Sequence, residues 1–267
     1  MTLYYEEHGA SKTPLIVFLH GGGVSGWMWE QLLQYFSEYH CIVPDLPEQG
    51  RSKSGEKFSI RSSAEKVIKL VEDKGKGKQV ILIGFSLGAQ IVIQALSMKP
   101  ELINYAMINS ALTEPMPVVR KILRPLIKLS YPLIKWKPFS KLQAKALYIQ
   151  ESDFERYYNE SCRIHDETLI RILNENMSFK IPAEFKHASS NILVTVGEKE
   201  NRLMKKSAKE ITQSNPNCYG VLVSGIGHGF PLAKPELFSN MAKIWIEGRE
   251  IKDGGTDLME GRVPSMR

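Results

Sequence analysis

Short, nearly continuous apolar runs punctuate this chain, and between them lie stretches whose apolar residues recur every three or four positions. The runs at 15–20 (LIVFLH), 80–83 (VILI), 105–109, 191–197 (NILVTVG) and 219–223 read as strands covered on both faces. Shorter segments at 3–7 and 41–43 read as strands too, which makes about seven. Residues 27–39 carry Trp29, Leu32, Leu33 and Phe36 at helical spacing, and 59–74 carry Ala64, Val67, Ile68 and Val71. Further helical patterns cover 89–98, 202–214 and 235–246. Strands alternating with helices predict an α/β domain with a mainly parallel central sheet flanked by helices.

From 111 to 187 the alternation stops, and it resumes at 191. The organisation expected is therefore a core of residues 1–111 and 188–250, a helical insertion at 112–187, and a C-terminal tail at 251–267. Within 115–145 stand eight Lys/Arg and no Asp/Glu, interleaved with Val118, Ile122, Leu126, Ile127, Leu129, Leu133, Ile134 and Trp136. Helices with their apolar side on the active site and a solvated basic outside are expected there. Contact with an anionic membrane is the less favoured reading. Prolines at 125, 132 and 138 predict several short helices in place of a long one. The Gly-rich end, 252–267, has little apolar content and is expected to be mobile and docked on nothing.

Composition narrows the classes. At 267 residues and 43% hydrophobic, one large domain with an insertion can bury a sizeable core. The net charge of +6 fits a local basic face, and no nucleic-acid partner is expected. No apolar run approaches the roughly 18 residues that span a bilayer. The first ten residues are acidic where a signal peptide needs a basic end, so a cytoplasmic location is expected. Cys41, Cys162 and Cys218 are odd in number and near no paired histidines, which suits reduced thiols, with neither a disulfide frame nor a zinc site.

The chemistry is concentrated where the run at 80–83 meets Gly84-Phe85-Ser86-Leu87-Gly88 and a helix begins. A strand, Gly-x-Ser-x-Gly and a helix form the context in which a serine sits on a strained turn with its hydroxyl exposed. Roughly one chain of this length in ten would carry the pentapeptide by accident, so other landmarks must decide. Two stand out: His20-Gly21-Gly22-Gly23 after the run at 15–20, and Gly227-His228-Gly229 after the last strand. With an acidic residue after 191–197, the chain order is serine, acid, histidine.

Together these landmarks resemble the α/β-hydrolase superfamily, of the serine esterase or lipase type with a cap domain. The resemblance implies that Ser86 is the nucleophile and His228 the general base. The family pattern Gly-x-x-Asp, counted from Gly197, assigns the acid to Glu200. Glu198 is expected to point elsewhere, and Glu114 after the preceding strand is the remaining alternative. Backbone N–H groups of Gly22 and Leu87 are the implied oxyanion donors, with Gly23 close behind Gly22. His20 is expected to tie its loop by hydrogen bonds, and 112–187 takes the place of the cap. The segment 44–52 resembles the family's Asp-Leu-Pro-Gly-His-Gly-x-Ser loop but has Glu48 and Gln49 where Gly and His are usual, so different contacts are expected.

The implied activity is hydrolysis of small or medium carboxylic esters through an acyl-enzyme on Ser86, with no metal and no cofactor. Its partner is a small-molecule ester or related acyl substrate. A serine nucleophile argues against the haloalkane dehalogenase and epoxide hydrolase branches. Carbon–carbon bond hydrolysis or pyruvate elimination is an alternative, with Arg120 or Arg124 holding a substrate carboxylate. A sensor or scaffold without turnover is a third reading.

Overall fold

The computed structural model describes residues 3–52, 56–249, 251 and 255–258. Eight strands among them form one sheet: β1 (Tyr5–His8), β2 (Leu15–Leu19), β3 (His40–Pro44), β4 (Val80–Phe85), β5 (Tyr105–Asn109), β6 (Asn191–Gly197), β7 (Cys218–Val223) and β8 (Gly255–Asp257). Their order is β1-β3-β2-β4-β5-β6-β7-β8. Only the two edge pairs, β1 with β3 and β7 with β8, are antiparallel. Every residue of β2 and β4 is buried, as expected of central strands covered on both faces.

The α-helices are α1 (Glu30–Leu33), α2 (Ile60–Lys74), α3 (Leu87–Met98), α4 (Pro117–Ile134), α5 (Lys137–Ala146), α6 (Phe154–Arg163), α7 (Asp166–Ser178), α8 (Arg202–Ser214), α9 (Phe230–Ala233) and α10 (Pro235–Ile246). Alternate residues of each strand feed two cores. Leu15, Val17 and Leu19 pack with α2, α3 and α8, whereas Ile16 and Phe18 pack with residues 27–36 and α10. Capping defines two of the helix starts. Ser59 Oγ accepts the Ser62 N–H at 3.0 Å ahead of α2, and Asn201 Oδ1 accepts the Met204 N–H at 3.0 Å ahead of α8.

Register sets where the chemistry gathers. Leu19 lies opposite Gly84, Phe85 opposite Asn109, and Gly197 opposite Val223. The parallel strands therefore end along one edge, and the loops that follow β2, β4, β5, β6 and β7 open side by side.

Four expectations need correcting. Residues 26–36 form a 3-10 turn, the single-turn α1 and a second 3-10 turn, where one helix was expected. Trp29, Leu32 and Phe36, spaced by three and four residues, are all buried as expected, and 3-10 turns commonly flank a helix this short. Secondly, α4 runs unbroken through Pro125 and Pro132. Both rings lie on its exposed side, where the carbonyls four residues earlier can be solvated. Thirdly, the apolar side of α4 is only partly turned to the body. Leu123 is buried and α4 packs on α7, but Val118, Ile122, Leu126, Leu129 and Leu133 are exposed, Leu129 at 82%. A helix apolar around half its circumference cannot press all of it against one neighbour. Finally, part of the expected mobile tail is strand β8, with the Leu258 N–H bonded to Gly220 O at 2.9 Å. Pairing there is through backbone, so it needs little apolar content. Glycine permits the approach, because a Cβ on Gly255 would stand 2.7 Å from Leu222 O. Residues 259–267 of that tail lie outside the described residues.

Candidate active site

Ser86 follows β4 directly and precedes α3, with φ 53° and ψ −112°. A non-glycine residue at positive φ is held there only by its surroundings. Its N–H donates to Asn109 O at 2.8 Å, while its own carbonyl accepts from the Ala89 and Gln90 N–H groups. The flanking glycines are required by close approach. A Cβ on Gly84 would sit 2.6 Å from Gly88 O, and one on Gly88 would sit 2.1 Å from Leu19 O.

His228 lies in the loop after β7, its ring against Phe85 with centroids 5.1 Å apart. Its Nε2 is 3.0 Å from Ser86 Oγ, and its Nδ1 is 2.8 Å from Glu200 Oε2. Glu200 is deeply buried after β6, and its other oxygen accepts from Ser110 Oγ at 2.7 Å and from the Gly197 N–H at 3.0 Å. Burial by itself would raise the Glu200 carboxyl. The His228 hydrogen bond and charge, helped by Ser110 and the Gly197 N–H, overcome this and hold it below its ordinary 4.5. An ionised carboxylate only accepts, so the His228 proton resides on Nδ1 and Nε2 presents its lone pair to the Ser86 hydroxyl. Glu198 is elsewhere, accepting the Gly225 N–H at 2.7 Å, and Glu114 pairs with Lys206 at 2.7 Å.

The glycine loop after β2 is tied by fully buried His20. Its Nε2 accepts the Leu46 N–H at 2.9 Å, which leaves Nδ1 to donate to Gly21 O at 2.7 Å. Burial lowers the imidazole below its ordinary 6.5 and keeps it neutral, against the pull of Gly21 O and Asp45. The Gly23 N–H donates to Gln49 Oε1 at 3.0 Å. Among the described residues no acceptor is paired with the Gly22 N–H, and Leu87, as the first residue of α3, has no carbonyl a turn back. A Cβ on Gly22 would rest 3.5 Å from the Leu87 side chain, so the two residues are neighbours.

A cleft of about 440 Å³ opens at Ser86, Glu200 and His228. Leu112 and Met204 give it apolar wall; Asn176, Lys199 and Asn201 give it polar wall. A separate cavity of about 540 Å³ between α5 and α9 has no part of Ser86 in its lining. Arg120 and Arg124 do not reach the cleft lining; both are exposed on α4, and Arg124 pairs with Glu167 at 2.7 Å.

Sequence reasoning missed Ser110, and it marked Gln49 only as a departure in the 44–52 loop without giving its partner, the Gly23 N–H. Ser110 directly follows β5 at φ 57°, and a polar residue at the carboxyl end of a parallel strand was the available signal. Glu48, at φ 61°, grips Arg171 of α7 through both oxygens, at 2.9 and 2.7 Å, and so joins the core to the insertion.

With this geometry in view, likeness to other proteins becomes informative. The family model for the alpha/beta hydrolase fold matches residues 14–131. An uncharacterized hydrolase of Bacillus subtilis (strain 168), YugF, is 24% identical, over 90% of this chain and 92% of that protein. Among solved structures, MGS-M2, an alpha/beta hydrolase enzyme from a Medee basin deep-sea metagenome library, superposes with a TM-score of 0.78 at 18% identity, covering 94% of this chain and 96% of the other. A thermophilic esterase from Thermogutta terrifontis gives a TM-score of 0.73 at 17% identity, over 92% and 93%. An eight-stranded, mostly parallel sheet with these likenesses shows that the chain has the α/β-hydrolase fold.

Proposed function

We propose that this protein is a serine hydrolase that cleaves small or medium carboxylic esters. The observation that carries the reading is the continuous chain of hydrogen bonds from Ser86 Oγ through His228 to Glu200, at 3.0 and 2.8 Å, on the wall of an open cleft. His228 Nε2 takes the hydroxyl proton as Ser86 Oγ bonds to the ester carbonyl carbon. The negative charge moves onto the carbonyl oxygen, where the Gly22 and Leu87 N–H groups receive it. Each such donor is worth about 3 kcal/mol in the transition state. The imidazolium then protonates the departing alkoxide, and an acyl-enzyme remains on Ser86. Water, deprotonated by the same nitrogen, repeats the sequence and restores the hydroxyl. Glu200 keeps the proton on Nδ1 and offsets the imidazolium charge. Nucleophile, base and oxyanion donors are all protein groups, so the reaction needs no cofactor.

A cleft of about 440 Å³ suits a small-molecule acyl group. The esterase from Thermogutta terrifontis, of similar fold, supports the substrate class. Two assays test the reading. A fluorophosphonate should label Ser86 in the wild type and nothing in Ser86→Ala. A series of p-nitrophenyl esters of rising chain length should be turned over, with a fall once the acyl chain outgrows the cleft. Labelling without ester turnover would point to a sensor or scaffold, and turnover of a diketone in preference to every ester would point to carbon–carbon cleavage.

A further inference from the structure

Helix α4 has three faces. One, with Leu123 at its centre, rests on α7. A second carries Arg120, Lys121, Arg124 and Lys128. The third is apolar and exposed: Val118 74%, Ile122 55%, Leu126 50%, Leu129 82% and Leu133 42%. At 3.6 residues per turn these five fall within about 80° of arc, a continuous stripe along the helix. It ends at Trp136, 58% exposed, and Leu142 of α5 adds a further apolar residue at 67%. Soluble surfaces scatter large apolar residues singly, and a stripe of this length marks a contact surface.

Charge identifies the partner. Residues 115–145 hold eight cations and no anion. Glu167 pairs with Arg124 and Lys128, Glu155 with Lys137, and Glu151 with Lys141. Arg120, Lys121, Lys135 and Lys145 have no acidic partner among the described residues. A second copy of the chain, packed stripe to stripe about a two-fold axis, would set the cations beside one stripe against those beside the other. A nucleic acid would use the cations and leave the stripe in water. Closure over the cleft would not cover it, because the side of α4 that faces the body is the Leu123 side, about 100° around the helix from the middle of the stripe. A bilayer with acidic headgroups satisfies both features: acyl chains take the stripe, and Lys and Arg stems lie along the apolar surface with their charges at headgroup level.

We propose that α4, with Trp136 and the start of α5, is a docking surface for the anionic face of a lipid bilayer. Binding is interfacial and reversible, since no helix among the described residues is long and apolar enough to cross a membrane. The inference does not depend on what Ser86 does.

The protein carries its own reporter. Trp27, Trp29 and Trp245 are buried and Trp136 alone of the four is exposed, so membrane contact should shift the emission of Trp136 to shorter wavelength. The purified chain is sedimented with phosphatidylcholine vesicles, with and without about one third phosphatidylserine. Expected are pelleting with the acidic vesicles alone, a blue shift that Trp136→Phe removes without loss of binding, and release by added salt. Arg120→Gln with Lys121→Gln should weaken partitioning about thirtyfold, at roughly one lysine's or arginine's worth each. Val118→Asp with Leu129→Asp should abolish it, while turnover of a water-soluble ester and melting temperature stay at wild-type values. Failure to pellet, or pelleting that survives the aspartate pair, overturns the proposal. A wild-type dimer in solution that the aspartate pair turns into monomer, with no vesicle binding, also overturns it and assigns the stripe to a second copy.

Discussion

The sheet core and the helical insertion are built from equally apolar sequence, yet they treat it in opposite ways. Strands β2 and β4 have no exposed residue, and each side of the sheet is closed by helices. In α4, one residue is fully buried while Val118, Leu129 and their neighbours face outward. The core satisfies its apolar residues internally because strands supply two faces and a helix layer covers each. In the insertion, α4 packs mainly on α7, with lesser contact to α5 and α6, and nothing among the described residues covers its outer stripe. The difference teaches that an apolar pattern measures what an element can bury, and neighbours determine what it does bury.

The two regions can be separated by experiment. The sharpest contrast is in turnover. Ser86→Ala or His228→Ala should lower kcat/KM on a good ester by about 10⁴-fold or more, with the double variant hardly worse, because the pair acts as a unit. Leu129→Ala should leave kcat/KM at the wild-type value. Retention of even a tenth of activity by Ser86→Ala would exclude the covalent mechanism.

Stability should divide the same way. Ile83, fully buried in β4, should cost about 3 kcal/mol on replacement by alanine, or roughly 10 °C in Tm for a chain of this size. Leu129→Ala should stay within about 0.5 kcal/mol. Comparable losses in the two variants, by calorimetry, would mean the α4 stripe is packed after all.

Glu200 tests the core at one side chain. Glu200→Gln should reduce kcat about a hundredfold, against less than about threefold for Glu198→Gln and Glu114→Gln, whose partners are Gly225 and Lys206. A crippled Glu198→Gln would move the acid by two residues. Stability carries a second signature. The folded-state carboxyl lies below its ordinary 4.5, so the unfolded chain binds more protons as pH falls through that range. The stabilisation by ionised Glu200 is therefore full above about 4.5 and lost below it. The Tm gap between wild type and Glu200→Gln should shrink on acidification through that window.

The smallest effect concerns the edge. Removing residues 255–267 takes away the pairing of Gly255, Thr256 and Asp257 with β7 and the Leu258 contact at Gly220. A loss of about 1 kcal/mol, or roughly 3 °C, is expected with turnover unchanged, because the edge is remote from β4 in the strand order. No change in Tm would mean the edge pairing contributes nothing.

What the sequence determined by itself is local. Strands β5 and β6 and helices α8 and α10 have the bounds their periodicity predicts, since whether a residue is apolar, and at what spacing, is written in the chain. The elbow at Ser86 was legible for the same reason: its glycines are needed where the chain turns back on itself. Counting from Gly197 by the pattern of the resembled family pointed to Glu200, the carboxylate that lies 2.8 Å from His228 Nδ1. Only the tertiary structure decided that Ser110 supports Glu200, that Gln49 occupies the Gly23 N–H and leaves that of Gly22, and that Glu48 reaches across to Arg171. It also decided that Pro125 and Pro132 lie inside one helix, and that the chain returns at Gly255 to extend the sheet. Apart from the two prolines, each of these joins residues distant in sequence through a polar contact or a backbone approach, and such pairings leave no period in the sequence. The outward stripe of α4 belongs with them, because exposure depends on which neighbour arrives.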